Sequence, residues 1–296
     1  MTTNDDTLAR GKKLIGDAVR RYQQKPIYIQ TIQMFGDTLH SSLIVAHYRA
    51  EFPNKPIIWG IGDKYYDAHS LNPDATEIIG LPTVQADDDG NRIRREWVIH
   101  AQKVGALSIG HSCAVVGHRG NDIATSNILN AGITELLVPR KPVLEVSAED
   151  IAWVVEFEKV HGLKPHKYAT LEYRSITFSG PPYNVTWAPK VYNTAISHLK
   201  HPIVYLGGPN EPPLEGGIDG RGTTFRQAKV LIRRSKVFAG CGSGLTMLAS
   251  TKNTQTKIIE VNIDTFHNMR GCGYAESTPL YQCTPIKLAR EINGSF

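Results

Sequence analysis

The chain has 296 residues, enough for two domains at roughly 100–200 residues each. Apolar residues make up 41% and charged residues 21%, the balance of a soluble globular protein, and no apolar stretch reaches the roughly 18 residues that a membrane span needs. The polar opening Met1–Arg21 lacks a signal-peptide core, so a cytoplasmic protein is expected.

A net charge of +5 and a pI near 8.9 allow an anionic ligand. That class spans a nucleotide-sugar, a phosphorylated acceptor, a nucleic acid and a membrane surface. Nucleic acid has weak support, because Arg92, Arg94, Arg95, Arg233 and Arg234 fall in helical patterns and form no stripe. The four cysteines, Cys113, Cys241, Cys272 and Cys283, lie far apart and form no CxxC pair. Each reads as a free, mostly buried thiol. His111 and His118 flank Cys113, and His40 and His47 share a helix, but neither spacing is a zinc pattern, so no metal is expected.

Residues 1–25 read as an opening helix or tail. Pro26–Gln30 is a β-rich run, and a loop follows to Gly36. Leu39, Leu43, Ala46 and Ala50 then recur at helical spacing until Pro53 stops the helix. Pro56–Ile61 reads as a second buried strand. Such strand–loop–helix–strand units build parallel sheets. Residues 91–104 resemble a helix, Gly105–Gly110 and Ile133–Val138 read as strands, and His111–Gly120 reads as a loop at the sheet edge. Pro139–Pro142 breaks the pattern. Ser147 with Asp150 makes a capping box for a helix that runs to about His161, where Gly162 stops it. The domain join is placed at 139–165.

The second half repeats the rhythm. Tyr168–Tyr173 is a strand, Trp187–Leu199 a helix, and Pro202–Leu206 a strand. Asn210–Gly222 is a Pro- and Gly-rich loop, and Thr223–Ser235 is a helix. A short strand at Val237–Ala239 leads through a glycine turn into the helix Leu245–Ser250. Lys257–Val261 is a further strand.

Four constellations can carry chemistry. Asp37 follows Gly36 at a strand-to-helix turn. The plain reading is an N-cap; the functional one is a general base, because a sugar hydroxyl is a poor nucleophile until its proton is taken. Gly240-Cys241-Gly242-Ser243-Gly244 opens a helix, where the N–H groups of Gly242, Ser243, Gly244 and Leu245 can meet phosphate; otherwise it is a tight turn. It is neither the dinucleotide fingerprint nor a nucleophile elbow. Gly207-Gly208-Pro209-Asn210-Glu211 ends a strand, the edge where open α/β sheets bind ligands, and Glu211 can bond a ribose or sugar hydroxyl. Arg174 offers a planar fork to a diphosphate. Glu211 and Arg174 have an equally plain reading as surface charges.

In order, these pieces resemble glycosyltransferase family 9, the lipopolysaccharide heptosyltransferase-like proteins. The first half reads PIYIQTIQMFGDTLHSSLIVAHYRAEFPNKPIIWGI; the second reads VYLGG, a loop, and FRQAKVLIRRSKVFAGCGSGLTMLAS. The resemblance implies the GT-B fold, two Rossmann-like α/β domains facing a cleft. Residues 1–145 would be the acceptor side and 146–296 the nucleotide-sugar side. It aligns Asp37 with the family's proposed base, and Ser243 and Gly244 with its donor turn. It implies an inverting, metal-independent transfer from a nucleotide-diphosphate sugar to the hydroxyl of a glycan or other acceptor, with no cofactor. The family has Asp where this chain has Gly242, and His where it has Met247. Those departures motivate one alternative, an inactive ligand- or partner-binding scaffold; the basic pI alone motivates another, a transferase acting on modified nucleic-acid bases.

Overall fold

The structure is a computed structural model that describes residues 3–32, 34–84, 87–109, 128–129, 131–174, 187–241, 243–261, 277–280 and 282–296. The chain divides into two compact units, Met1–Glu145 and Val146–Phe296. Among the described residues, no helix is long and apolar enough to cross a membrane.

The first unit opens with α1 (Asn4–Arg20), capped by Thr3 and Asp6. Strand β1 (Ile27–Thr31) feeds α2 (Phe35–Glu51) and β2 (Ile57–Gly62). A 3-10 turn (Asp63–Tyr65), the short α3 (Tyr66–His69), β3 (Glu77–Leu81), α4 (Asp88–Lys103) and β4 (Leu107–Ile109) follow. The strands form one parallel sheet in the order β3-β2-β1-β4. Every residue of β1 and β2 is buried, as expected of parallel strands covered on both faces. Trp97 of α4 lies so close to Gly11 of α1 that a Cβ there would sit 2.1 Å from the indole.

The second unit opens with α5 (Ala148–Val160), whose N-terminus is held by the reciprocal Ser147–Asp150 box, and Gly162 (φ 64°) ends it. Then come β5 (Ala169–Glu172), α6 (Pro189–Ser197), β6 (Ile203–Leu206), β7 (Ile218–Asp219), α7 (Phe225–Arg234) and β8 (Val237–Gly240). The unit closes with α8 (Gly244–Ala249), β9 (Lys257–Val261), β10 (Ser277–Leu280) and α9 (Pro285–Asn293). Its parallel sheet has the order β10-β9-β8-β5-β6-β7. Tyr173 packs its ring edge-on against Tyr192 and Tyr205, both at 5.9 Å, in the core under the central strands.

Three readings need correction. Residues 133–138 are bends and irregular chain, not a strand; the Leu137 N–H goes to the His47 ring rather than to a ladder. The loop 210–222 contains β7, paired with β6 through Val204 and Tyr205. Strands β3 and β10 and helix α9 add elements to the expected pattern. The expected loop at His111–Gly120, with Cys113, lies outside the described residues, as does Cys272.

Candidate functional site

In open α/β sheets, ligands bind at the carboxyl ends of the strands, where the order of connection reverses. In the first sheet the chain runs outward from β1 to β2 and β3, then returns to place β4 on the other side of β1. The reversal lies between β1 and β4. In the second sheet β5 leads to β6 and β7, and the chain then crosses to β8, so the reversal lies between β5 and β8. The sequence-selected residues follow β1, β5, β6 and β8.

Asp37 is the third residue of α2, not its N-cap. Met34 is the cap, and the Asp37 carboxylate reaches back to accept the Met34 N–H at 3.1 Å. Its backbone is fixed from two sides. Thr31, at the end of β1, donates to Ser41, and Ser41 donates to the Asp37 carbonyl. Next to it, fully buried Thr38 donates to the Phe35 carbonyl and contacts His69 Nε2 at 3.0 Å. Since the hydroxyl proton is spent on Phe35, Nε2 carries the ring proton. Burial lowers His69 to about 3, so it stays neutral, and its Nδ1 is buried without a partner. His69 also packs on Trp59 at 4.9 Å and Phe35 at 5.7 Å.

Burial raises Asp37 to about 6, and the Met34 N–H offsets only part of that effect. A helix N-terminus alone favours the anion, so desolvation outweighs the local field here. The half-buried carboxylate is thus a stronger base than a solvated aspartate, yet ionised in most molecules at neutral pH.

In the second unit, the selected residues follow β6, β5 and β8, which are neighbours in the sheet. Arg174 follows β5 and is exposed; its charge acts on Glu211, in the loop after β6. Glu211 is half-buried, burial raises its pKa, and its Oε2 has no hydrogen-bond partner. It lies over Gly207 and Gly208; a Cβ on Gly207 would sit 2.3 Å from Glu211 Oε2. Ser243, Gly244 and Leu245, all half-buried, form the turn after β8. Ser243 caps its own helix by accepting the Leu245 N–H at 3.3 Å, which engages one of the groups expected to be free. Gly242 lies outside the described residues. Cys241 and Cys283 are buried thiols without disulfides.

Sequence reasoning passed over Glu172, the last residue of β5, in favour of neighbouring Arg174. Glu172 is 3% exposed and accepts from the Ser243 hydroxyl, from Thr246 Oγ1 at 3.3 Å, and from the Cys241 backbone. Burial raises it to about 8, with nearby Glu211 adding to the effect. It is protonated at neutral pH. The available signal was a single acid closing an otherwise apolar run, Ala169–Leu171.

Among the described residues, no three His, Cys, Asp or Glu side chains are grouped to hold a metal ion. A cavity of about 780 Å³ in the first unit is lined by Ile27, His47, Leu107 and Leu137, among others. Ile27 and Leu107 open β1 and β4, so the cavity lies at the opposite end of the strands from Asp37. It contains none of the selected residues.

No protein-family model matches the chain, and no curated protein matches it in sequence. Solved structures do. A glycosyl transferase family 9 protein from Veillonella parvula aligns with a TM-score of 0.67 at 16% identity, covering 87% of this chain and 86% of that one. The E. coli ADP-heptose lipopolysaccharide heptosyltransferase II aligns at 0.58 and 15% identity, covering 91% and 98%. The E. coli heptosyltransferase WaaC, solved with ADP, aligns at 0.59 and 10% identity, covering 92% and 100%. The chain has the α/β fold of the GT-B-type, family 9 glycosyltransferases.

Proposed function

We propose that the chain is a glycosyltransferase that moves a sugar from a nucleotide-diphosphate sugar to an acceptor hydroxyl, with inversion and without a metal. The observation that carries this reading is Asp37: a half-buried carboxyl raised to about 6, fixed at the reversal point of its sheet. In this reading Asp37 takes the acceptor proton as the hydroxyl attacks the anomeric carbon. The carbon–oxygen bond to the diphosphate breaks on the opposite face, so one displacement inverts the centre.

The leaving diphosphate gains negative charge, and the groups that meet it must be positive or polar. Arg174 and the turn Ser243–Leu245 supply them at the reversal point of the second sheet. Helix α8 has only six residues, so its dipole is a small contributor beside the individual N–H groups. A protonated Glu172 fits this role, since an ionised one would repel phosphate. The solved neighbour carrying ADP supports an ADP-linked sugar as the first donor to try.

One observation favours a second reading. Met247, where the family has His, is 5% exposed and belongs to the core. A chain lacking that donor-side His could bind without turnover. A thermal-shift panel of nucleotide-sugars, followed by assay of donor consumption, tests both. A donor at 100 times its dissociation constant stabilises by about 2.7 kcal/mol. Stabilisation with consumption supports transfer, and stabilisation alone supports a binding scaffold. No shift with any donor removes the proposal.

A further inference from the structure

Folding alone does not account for the imidazole of His69. The residue is 1% exposed, and burial keeps its ring neutral. One ring nitrogen is used: Nε2–H donates to Thr38 Oγ1 at 3.0 Å. The other, Nδ1, is buried and has no partner among the described residues. A buried acceptor left unpaired costs stability, whereas an apolar side chain of similar size fills the space without that cost. Nor does Nδ1 serve its neighbour. The ring packs edge-on against Trp59, yet the Trp59 Nε1–H is itself buried without a partner. What remains to explain an imidazole here is its one hydrogen bond, to Thr38.

That bond joins two turns at the same edge of the sheet. Helix α2 starts after β1, and the segment Asp63–His69 follows β2, the neighbouring strand. The Tyr65 and His69 rings each lie 5.7 Å from the Phe35 ring. Phe35 and Thr38 bracket Asp37 in the first turn of α2, and Thr38 Oγ1 donates to the Phe35 carbonyl at 2.7 Å. A helical threonine divides between two side-chain rotamers, and the His69 N–H selects the one that makes this bond.

We propose that His69 is a positioning residue for Asp37: through Thr38 it locks the first turn of α2 and so fixes where the Asp37 carboxyl points. The proposal rests on the reading of Asp37 as the base. Neutral and buried, His69 itself neither gives nor takes a proton. A looser turn would admit water to the carboxyl and carry it out of line with the acceptor, and a misplacement of about 1 Å costs about 10²-fold in rate.

The test uses the whole chain and three substitutions. His69→Leu removes the N–H, His69→Gln places an amide N–H where Nε2 stands, and Thr38→Val removes the acceptor. Two properties are read. One is kcat and KM with a nucleotide-diphosphate sugar; the other is the titration of the Asp37 carboxyl by NMR, which needs no donor. His69→Leu and Thr38→Val should each lower kcat by about 10²-fold and leave the donor KM unchanged. Both should move the Asp37 titration from about 6 down toward the usual carboxylate range. His69→Gln should keep both properties near the wild type, and His69→Leu with Thr38→Val should lose no more than either alone. If His69→Leu does not fold, Thr38→Val and His69→Gln still decide. Wild-type kcat and titration in Thr38→Val or in a folded His69→Leu would overturn the proposal. So would a loss in His69→Gln as large as in Thr38→Val, or an effect confined to KM. A wild-type chain that consumes no donor refutes the transferase reading instead, and the Asp37 titration then decides by itself whether His69 positions this carboxyl.

Discussion

The Ser243 hydroxyl donates to Glu172 at the boundary between β8 and β5, where the second sheet reverses its order. This bond ties the turn after β8 to the end of the central strand. It also stabilises a carboxyl that burial has raised to about 8.

Glu172 should make stability depend on pH. Its folded value lies above the unfolded value near 4.5, so the folded chain keeps a proton that the unfolded chain releases. Stability should therefore fall as pH rises from about 4.5 to 8, with a slope of at most ~1.4 kcal/mol per pH unit from this group. Glu172→Gln imitates the protonated acid and should remove that slope. Melting temperatures of both proteins across the range check it; parallel curves would mean that Glu172 holds no extra proton.

Gly240 should resist even a methyl group. A Cβ there would lie 2.6 Å from the Phe238 ring and 2.7 Å from Thr246 Oγ1, the group that donates to Glu172. Gly240→Ala should cost about 1–3 kcal/mol by overpacking. It should also weaken donor-induced thermal stabilisation by shifting the Ser243 turn. Wild-type behaviour in both measurements would show that α8 can move away without consequence.

The pair between Glu158 and Arg234 should be a strong structural contact. Both carboxylate oxygens are engaged, and Tyr168 also donates to Glu158 at 3.1 Å. Breaking a buried pair typically costs 3–5 kcal/mol; Arg234 is 27% exposed, so about 2–3 kcal/mol is expected for Glu158→Ala. Glu158→Gln keeps an acceptor for Tyr168 and should lose less. Urea midpoints of the two variants measure the difference.

The parts of this fold that local chemistry dictates were legible in the sequence. The Ser147–Asp150 box and Gly162 bracket α5 because caps are nearest-neighbour interactions. The apolar runs at β1, β2, β6 and β9 announce buried parallel strands. Tertiary effects were not legible. Leu136-Leu137 looks like a strand, but only the fold shows that His47 takes the Leu137 N–H. Asp37 at a helix start suggests a lowered pKa, and only its burial reveals the opposite shift. Glu172 was hidden for the same reason: an acid at a strand end is ordinary until Ser243, Thr246 and Cys241 close around it.

Turnover should report the Asp37 ionisation. A base must be deprotonated to act, so the rate should rise with pH through a limb near 6 and level above it. A limb that persists unchanged in Asp37→Asn would assign the titration to another group.

The most direct measurement compares turnover of a nucleotide-diphosphate sugar by Asp37→Asn and by the wild type, with donor affinity and melting temperature read in parallel. Asparagine keeps an acceptor for the Met34 N–H but cannot take a proton. The ionised Asp37 destabilises the folded chain above about pH 6 and not below about 4, because its folded pKa exceeds its unfolded one. Asp37→Asn should therefore be as stable as the wild type at pH 7 or more stable, by up to ~1–3 kcal/mol. The predicted result is an unchanged donor affinity with turnover reduced by about 10²–10⁴-fold. Full turnover in Asp37→Asn would contradict it and leave this carboxylate as a helix cap.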